Sequence, residues 1–247
     1  MTFEKLKPAL AGSLVVLGSI ALAACQPSPA EERAAIERDI LSIPGSEEMW
    51  SVIKREYPAD FGILVDRLQA LDAADRSNRA LTKQIGEKWR QEFFAKIAPD
   101  SIKAPAEEML AWSAVESRLF ATLQISAVDD CAAMTMGGWI SIDESDVAAM
   151  RVVEERNAAM VRAAAAGRDD PQDYAEPDEA AFTALGDAIA NTGIDPRIQQ
   201  TLGSQTAMMA LPRDEQCELG VAIYRGLNAL PDEDEVEMAA FLLSPIP

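Results

Sequence analysis

The stretch "EEMLAWSAVESRLFATLQIS", Glu107 to Ser126, decides the fold class. At about 100° of rotation per residue, Met109, Trp112, Leu119, Phe120 and Leu123 fall within roughly 100° of arc. That spacing makes one apolar stripe along a helix, which has to be covered by neighbouring helices. Glu116 lies inside the stripe. A carboxylate there loses hydration, which favours its neutral form and raises its pKa. Either it pairs with an Arg from another helix, or it sits at the edge of the face, or it works as an acid.

The same periodicity recurs on both sides. "DFGILVDRLQAL" puts Phe61, Leu64, Val65, Leu68 and Leu71 on one stripe. In "RALTKQIGEKWRQEFFAKIAP", Leu81, Ile85, Trp89, Phe93 and Ile97 stand four apart, with Pro99 just past the expected end. "ESDVAAMRVVEERNAAMVRAAAA" reads as a long Ala-rich helix and "GRDDPQDYAEP" as an exposed acidic loop. Ser28, Pro29 and Glu31 form a helix-start signature with a capping box. Asp195-Pro196 and Pro231-Asp232 mark two more starts, and Asp232 with Glu235 fits a capping pair. "AVDDCAAMTMGGWISIDESD" is the main irregular region, turning at Gly137-Gly138, and "WISI" is its one short strand-like run. The expected fold is all-α, an irregular bundle of about seven to nine helices. Residues 25–44 form a tether and first short helix, and residues 45–247 the helical domain, with a hinge expected at 167–177.

Composition narrows the function. The 247 residues include no histidine, which removes Ser-His-Asp and Cys-His catalysis, HExxH zinc sites and most transition-metal sites. Residues 1–24 hold two of the 22 basic and one of the 41 acidic residues, so the remainder carries a formal charge of −20. Such a surface repels phosphate backbones, and no nucleic-acid partner is expected.

The N-terminus has the parts of an export signal. Lys5 and Lys7 supply positive charge, Ala9 to Leu22 is uncharged and apolar, and Leu22-Ala23-Ala24-Cys25 closes the segment. This resembles the signal of bacterial lipoproteins, whose lipobox is Leu, a small residue, Ala or Gly, then Cys. The resemblance implies a signal peptide over residues 1–24, a diacylglyceryl thioether on Cys25 and an acylated new amino terminus. More than one acyl chain makes membrane attachment stable, at about 0.8 kcal/mol per buried methylene. Gln26, where an Asp would stand in proteins kept at the inner membrane, implies the outer membrane.

With Cys25 lipidated, Cys131 and Cys217 remain as an even pair in an exported chain. Cys217 shares a stripe with Val221, Tyr224 and Asn228. A bridge would close a long loop, stabilising by roughly 4.5 kcal/mol in the chain-entropy treatment. Met134, Met136, Met208 and Met209 have the soft thioethers that suit Cu(I), but methionine is more often core filler, and no cofactor or metal is expected. "SVIK", Ser51 to Lys54, matches S-x-x-K without the other motifs of penicillin-binding enzymes and carries no weight. "DDPQDYAEPDE" lacks the glycine and spacing of a calcium loop.

Ala114-Val115-Glu116-Ser117-Arg118 is similar to the catalytic segment of lytic transglycosylases, where Glu-Ser follows an apolar helix. That resemblance implies a peptidoglycan-cleaving enzyme with Glu116 as general acid/base. The family's downstream Gly-Leu-Met-Gln is "AAMTMGGW" here. The leading expectation is therefore a non-catalytic binding or accessory module, lipid-anchored and facing the periplasm. Its partner would be a cell-envelope protein or peptidoglycan; the transglycosylase-like enzyme is the alternative.

Overall fold

The computed structural model describes residues 28–138 and 146–244. The signal segment, Cys25 and the "WISI" run lie outside the described residues. Among those described there are thirteen helices and no strand: α1 (Pro29–Leu41), α2 (Glu47–Glu56), α3 (Pro58–Gln69), α4 (Ala73–Ser77), α5 (Arg79–Ser101), α6 (Ala106–Ser126) and α7 (Val128–Thr135) come first. They are followed by α8 (Val147–Asp169), α9 (Glu179–Ala190), α10 (Pro196–Gln199), α11 (Gln205–Met209), α12 (Arg213–Leu227) and α13 (Asp232–Leu242). The fold is all-α, as expected. The count exceeds seven to nine because α4, α10 and α11 are one-turn helices, too short to show a period. The eight-residue α7 was hidden in the segment read as irregular.

α8 is the central element and packs against α2, α5 and α6. Its alanines explain why. Ala158, Ala159, Ala163, Ala164 and Ala165 are buried, and side chains this small let neighbouring helices approach on more than one side. One face of α8 joins Trp50, Tyr57, Phe61, Trp89, Phe93 and Ile97 in a first core formed by α1, α2, α3 and α5. Trp89 stacks on Phe93 at 4.9 Å between centroids, and Tyr57 meets Phe93 edge-on at 5.3 Å. The other face joins Met109, Trp112, Ile189, Leu219 and Met238 in a second core. A third, around Leu119, Phe120 and Leu123, holds the two cysteines.

Local signals decide several ends. Ser28 and Glu31 form the expected capping box on α1, and Asp195 caps α10 ahead of Pro196. Gly137 takes φ 72°, the left-handed turn that favours glycine. Two expectations are corrected. α5 continues through Pro99 to Ser101, so the proline sits in the last turn and not beyond it. Asp232 and Glu235 form no capping pair; Glu235 is buried and accepts a 2.6 Å hydrogen bond from Asn228 Nδ2.

The segment expected as a hinge, residues 167–177, is stitched to the corner between α5 and α6. Gln172 N donates to Lys103 O at 2.9 Å, and the Tyr174 hydroxyl donates to Ala104 O at 2.6 Å. A Cβ on Gly167 would overlap the Asp100 carbonyl oxygen and stand 2.9 Å from Ala104 N. Glycine there lets α8 lie directly on backbone.

Candidate functional site

Glu116 comes from the middle of α6, one helical turn after Trp112, and both point into the bundle. Its side chain is 1% exposed. Oε1 accepts from Trp112 Nε1 at 3.1 Å and from Arg156 Nε at 2.6 Å. Trp112 is on the same helix because residues four apart share a face. Arg156 reaches across from α8, with its side chain 30% exposed. Glu116 holds the Arg156 guanidinium more firmly protonated than usual, chiefly by charge attraction, against the opposing effect of burial. Tyr224 of α12 completes the surroundings and stacks on Phe120 at 4.7 Å. Burial pushes its hydroxyl well above the ordinary tyrosine value, with Glu116 adding to the shift and Arg156 opposing it.

This arrangement answers which of the open readings of Glu116 the geometry takes. The carboxylate pairs with an Arg from another helix. A general acid has to come within hydrogen-bond reach of a substrate oxygen. Glu116 Oε1 is already engaged by two donors inside the core.

No family model, curated protein or solved structure matches the chain.

The structure joins Cys131 of α7 to Cys217 of α12 in a disulfide, with Cα atoms 5.0 Å apart and 86 residues of separation. Both are fully buried. Close approach of the two helices is allowed by Gly220, where a Cβ would collide with the Phe120 ring and Thr135. Stripe reasoning for Cys217 and Val221 therefore found a real inward face. Asn228, on the same stripe, donates to Ser113 Oγ at 2.7 Å as well as to Glu235, a polar tie between α6 and the chain around α13.

The methionines are not brought together as one ligand set. Met134 packs against the third core and Met208 against the second, while Met209 is 64% exposed. No cluster of three or more His, Cys, Asp or Glu residues suited to a metal occurs among the described residues. Ser51 is exposed, and Lys54 Nζ is held by Glu37 at 2.7 Å.

Sequence reading missed a cavity of about 300 Å³ where the α2–α3 corner meets the ends of α5 and α8. Its lining includes Tyr57, Lys96, Asp100 and Arg168. No spacing pattern links residues so far apart, so only the folded chain reveals it. The one available signal was "EYPADF", an aromatic residue at a helix junction beside a proline.

Proposed function

We propose that the protein is a lipid-anchored cell-envelope protein facing the periplasm, working as a non-catalytic binding or accessory module. The observation that carries this reading is Glu116. The residue best suited to catalysis by sequence is enclosed in the core and neutralised by Arg156. The buried disulfide supports an oxidising compartment. No helix among the described residues is long and apolar enough to cross a membrane; in this reading the attachment is acylation of Cys25.

The anchor would hold the domain close to the bilayer. Ser28 already caps α1, three residues after Cys25. Extended chain covers at most about 3.6 Å per residue, so three residues can reach no further than about 11 Å.

Two measurements test the reading. Labelled palmitate should enter the wild type and not Cys25→Ser, and the variant should leave the membrane fraction. Cross-linking and pull-down from solubilised membranes should recover an envelope protein or peptidoglycan. Release of soluble peptidoglycan fragments by the purified protein, abolished in Glu116→Gln, would establish the transglycosylase-like enzyme instead.

A further inference from the structure

Tyr57 is 7% exposed, yet its hydroxyl is a buried side-chain group with no hydrogen-bond partner. Buried hydroxyls are normally paired, because an unmade hydrogen bond costs stability. Its ring is fixed by Phe93 on one side, and the Arg168 guanidinium lies over it at 4.9 Å from the centroid. Burial pushes the hydroxyl up to about 12, against the pull of Arg168, so at neutral pH it is a donor. The residue borders the cavity of about 300 Å³, at the lower end of the range for small-ligand pockets.

The charged groups lining that cavity are unequally committed. Lys96 Nζ is held by both oxygens of Asp60, at 2.7 and 2.8 Å. Arg168 is held by Asp169 at 2.8 and 3.2 Å and donates to Glu56 O at 3.1 Å. The half-buried Asp100 carboxylate makes no hydrogen bond or ion pair among the described residues. On the donor side, α3 begins with Pro58 and has no capping side chain, so the Ala59 and Asp60 N–H groups at its positive end are uncapped. Ile97 and Pro58 supply apolar wall. The unclaimed groups bordering the cavity are thus a hydroxyl and backbone donors together with one carboxylate acceptor.

We propose that this cavity binds a small zwitterion, an amino acid or short peptide. Its carboxylate takes the Tyr57 hydroxyl and the N-terminus of α3, and its ammonium takes Asp100. Arg168 moves aside from the ring to admit it. The inference concerns the helical domain alone and stands whether or not Cys25 carries lipid.

Alanyl-alanine is the probe, titrated calorimetrically into the full-length protein in detergent, beside its N-acetylated and C-amidated forms. The wild type should bind the free dipeptide, and each blocked form should bind about tenfold or more weakly. Tyr57→Phe and Asp100→Asn should each weaken binding of the free dipeptide by a similar factor. Unliganded Tyr57→Phe should melt no lower than wild type, since it deletes only an unpartnered hydroxyl. Lack of binding by wild type, equal binding of either blocked form, unchanged affinity in both variants, or a lower melting point for Tyr57→Phe overturns the proposal.

Discussion

Replacing Arg156 by Met tests the reading of Glu116 as a structural partner. The two side chains are unequal: the carboxylate is 1% exposed and the guanidinium 30%. Removing Arg156 strands a buried charge with only the Trp112 N–H for company. Breaking a buried pair in that way costs about 3–5 kcal/mol. For a domain of this size each kcal/mol lowers Tm by about 2–4 °C, so Arg156→Met should melt roughly 6–20 °C below wild type. Glu116→Gln is milder. Its amide oxygen can still accept from both donors, and Arg156 can turn to water, so about 1–3 kcal/mol is expected. In Glu116→Leu with Arg156→Met both charges are gone. Apolar replacement of a buried pair is often neutral or stabilising by about 1–4 kcal/mol, offset by the orphaned Trp112 N–H at about 1–3 kcal/mol. The double variant should therefore lie near wild type, well above Arg156→Met alone. Urea unfolding followed by circular dichroism and tryptophan fluorescence measures all of these. Arg156→Met within about 1 kcal/mol of wild type, or a double variant that loses the sum of its singles, refutes the pairing argument.

Three further outcomes follow from the packing. Cleaving Cys131–Cys217, which closes an 86-residue separation, should cost roughly 4.5 kcal/mol by loop-closure entropy; denaturation with and without reductant checks this, and non-reducing mass spectrometry should find the pair joined. Gly167→Ala should destabilise by about 1–3 kcal/mol or more, because its methyl meets the backbone at Asp100 and Ala104, whereas Gly86→Ala meets nothing within 4 Å and should be neutral or stabilising by about 1 kcal/mol. Tyr57 is raised from 10.0 to about 12 in the folded chain, so the folded state keeps its proton while the unfolded state loses it. Its contribution is full below pH 10.0 and is lost as pH rises towards 12; unfolding across that window should be later in Tyr57→Phe than in wild type.

What could be read beforehand divides along a physical line. Helices whose apolar residues repeat over several turns, such as α3, α5 and α6, were legible because burial of a stripe is a local pattern. Caps at Ser28 and Asp195 were legible for the same reason, since a capping oxygen and the backbone N–H that donates to it lie within three residues. The capping pair at Asp232 failed because a tertiary partner competed for it. Glu235 is buried among α6 and the end of α12, where Asn228 outbids the helix start. The tertiary contacts of the segment expected as a hinge were equally out of reach. Polar, proline-containing sequence signals exposure, but it cannot show that Tyr174 has a carbonyl 70 residues away to bond.

Glu116 shows how far such reasoning reaches. A carboxylate within an apolar stripe must either lose its charge or find a cation, and that necessity follows from six positions on one helix. Which outcome holds depends on a residue 40 positions further on, in a helix whose direction and register come from alanine packing. Arg156 reaches Glu116 because the small residues of α8 let it lie close to α6. The same closeness leaves the Glu116 side chain only 1% exposed. Catalysis and structural pairing thus make opposite demands on one distance: a general acid needs space at its oxygen, and here that space is filled by a guanidinium 2.6 Å away. The cavity at Tyr57 has the reverse character, with a donor and a carboxylate left without partners. If this domain binds a small molecule, the unsatisfied groups at Tyr57 and Asp100 are better placed to do so than the satisfied pair at Glu116.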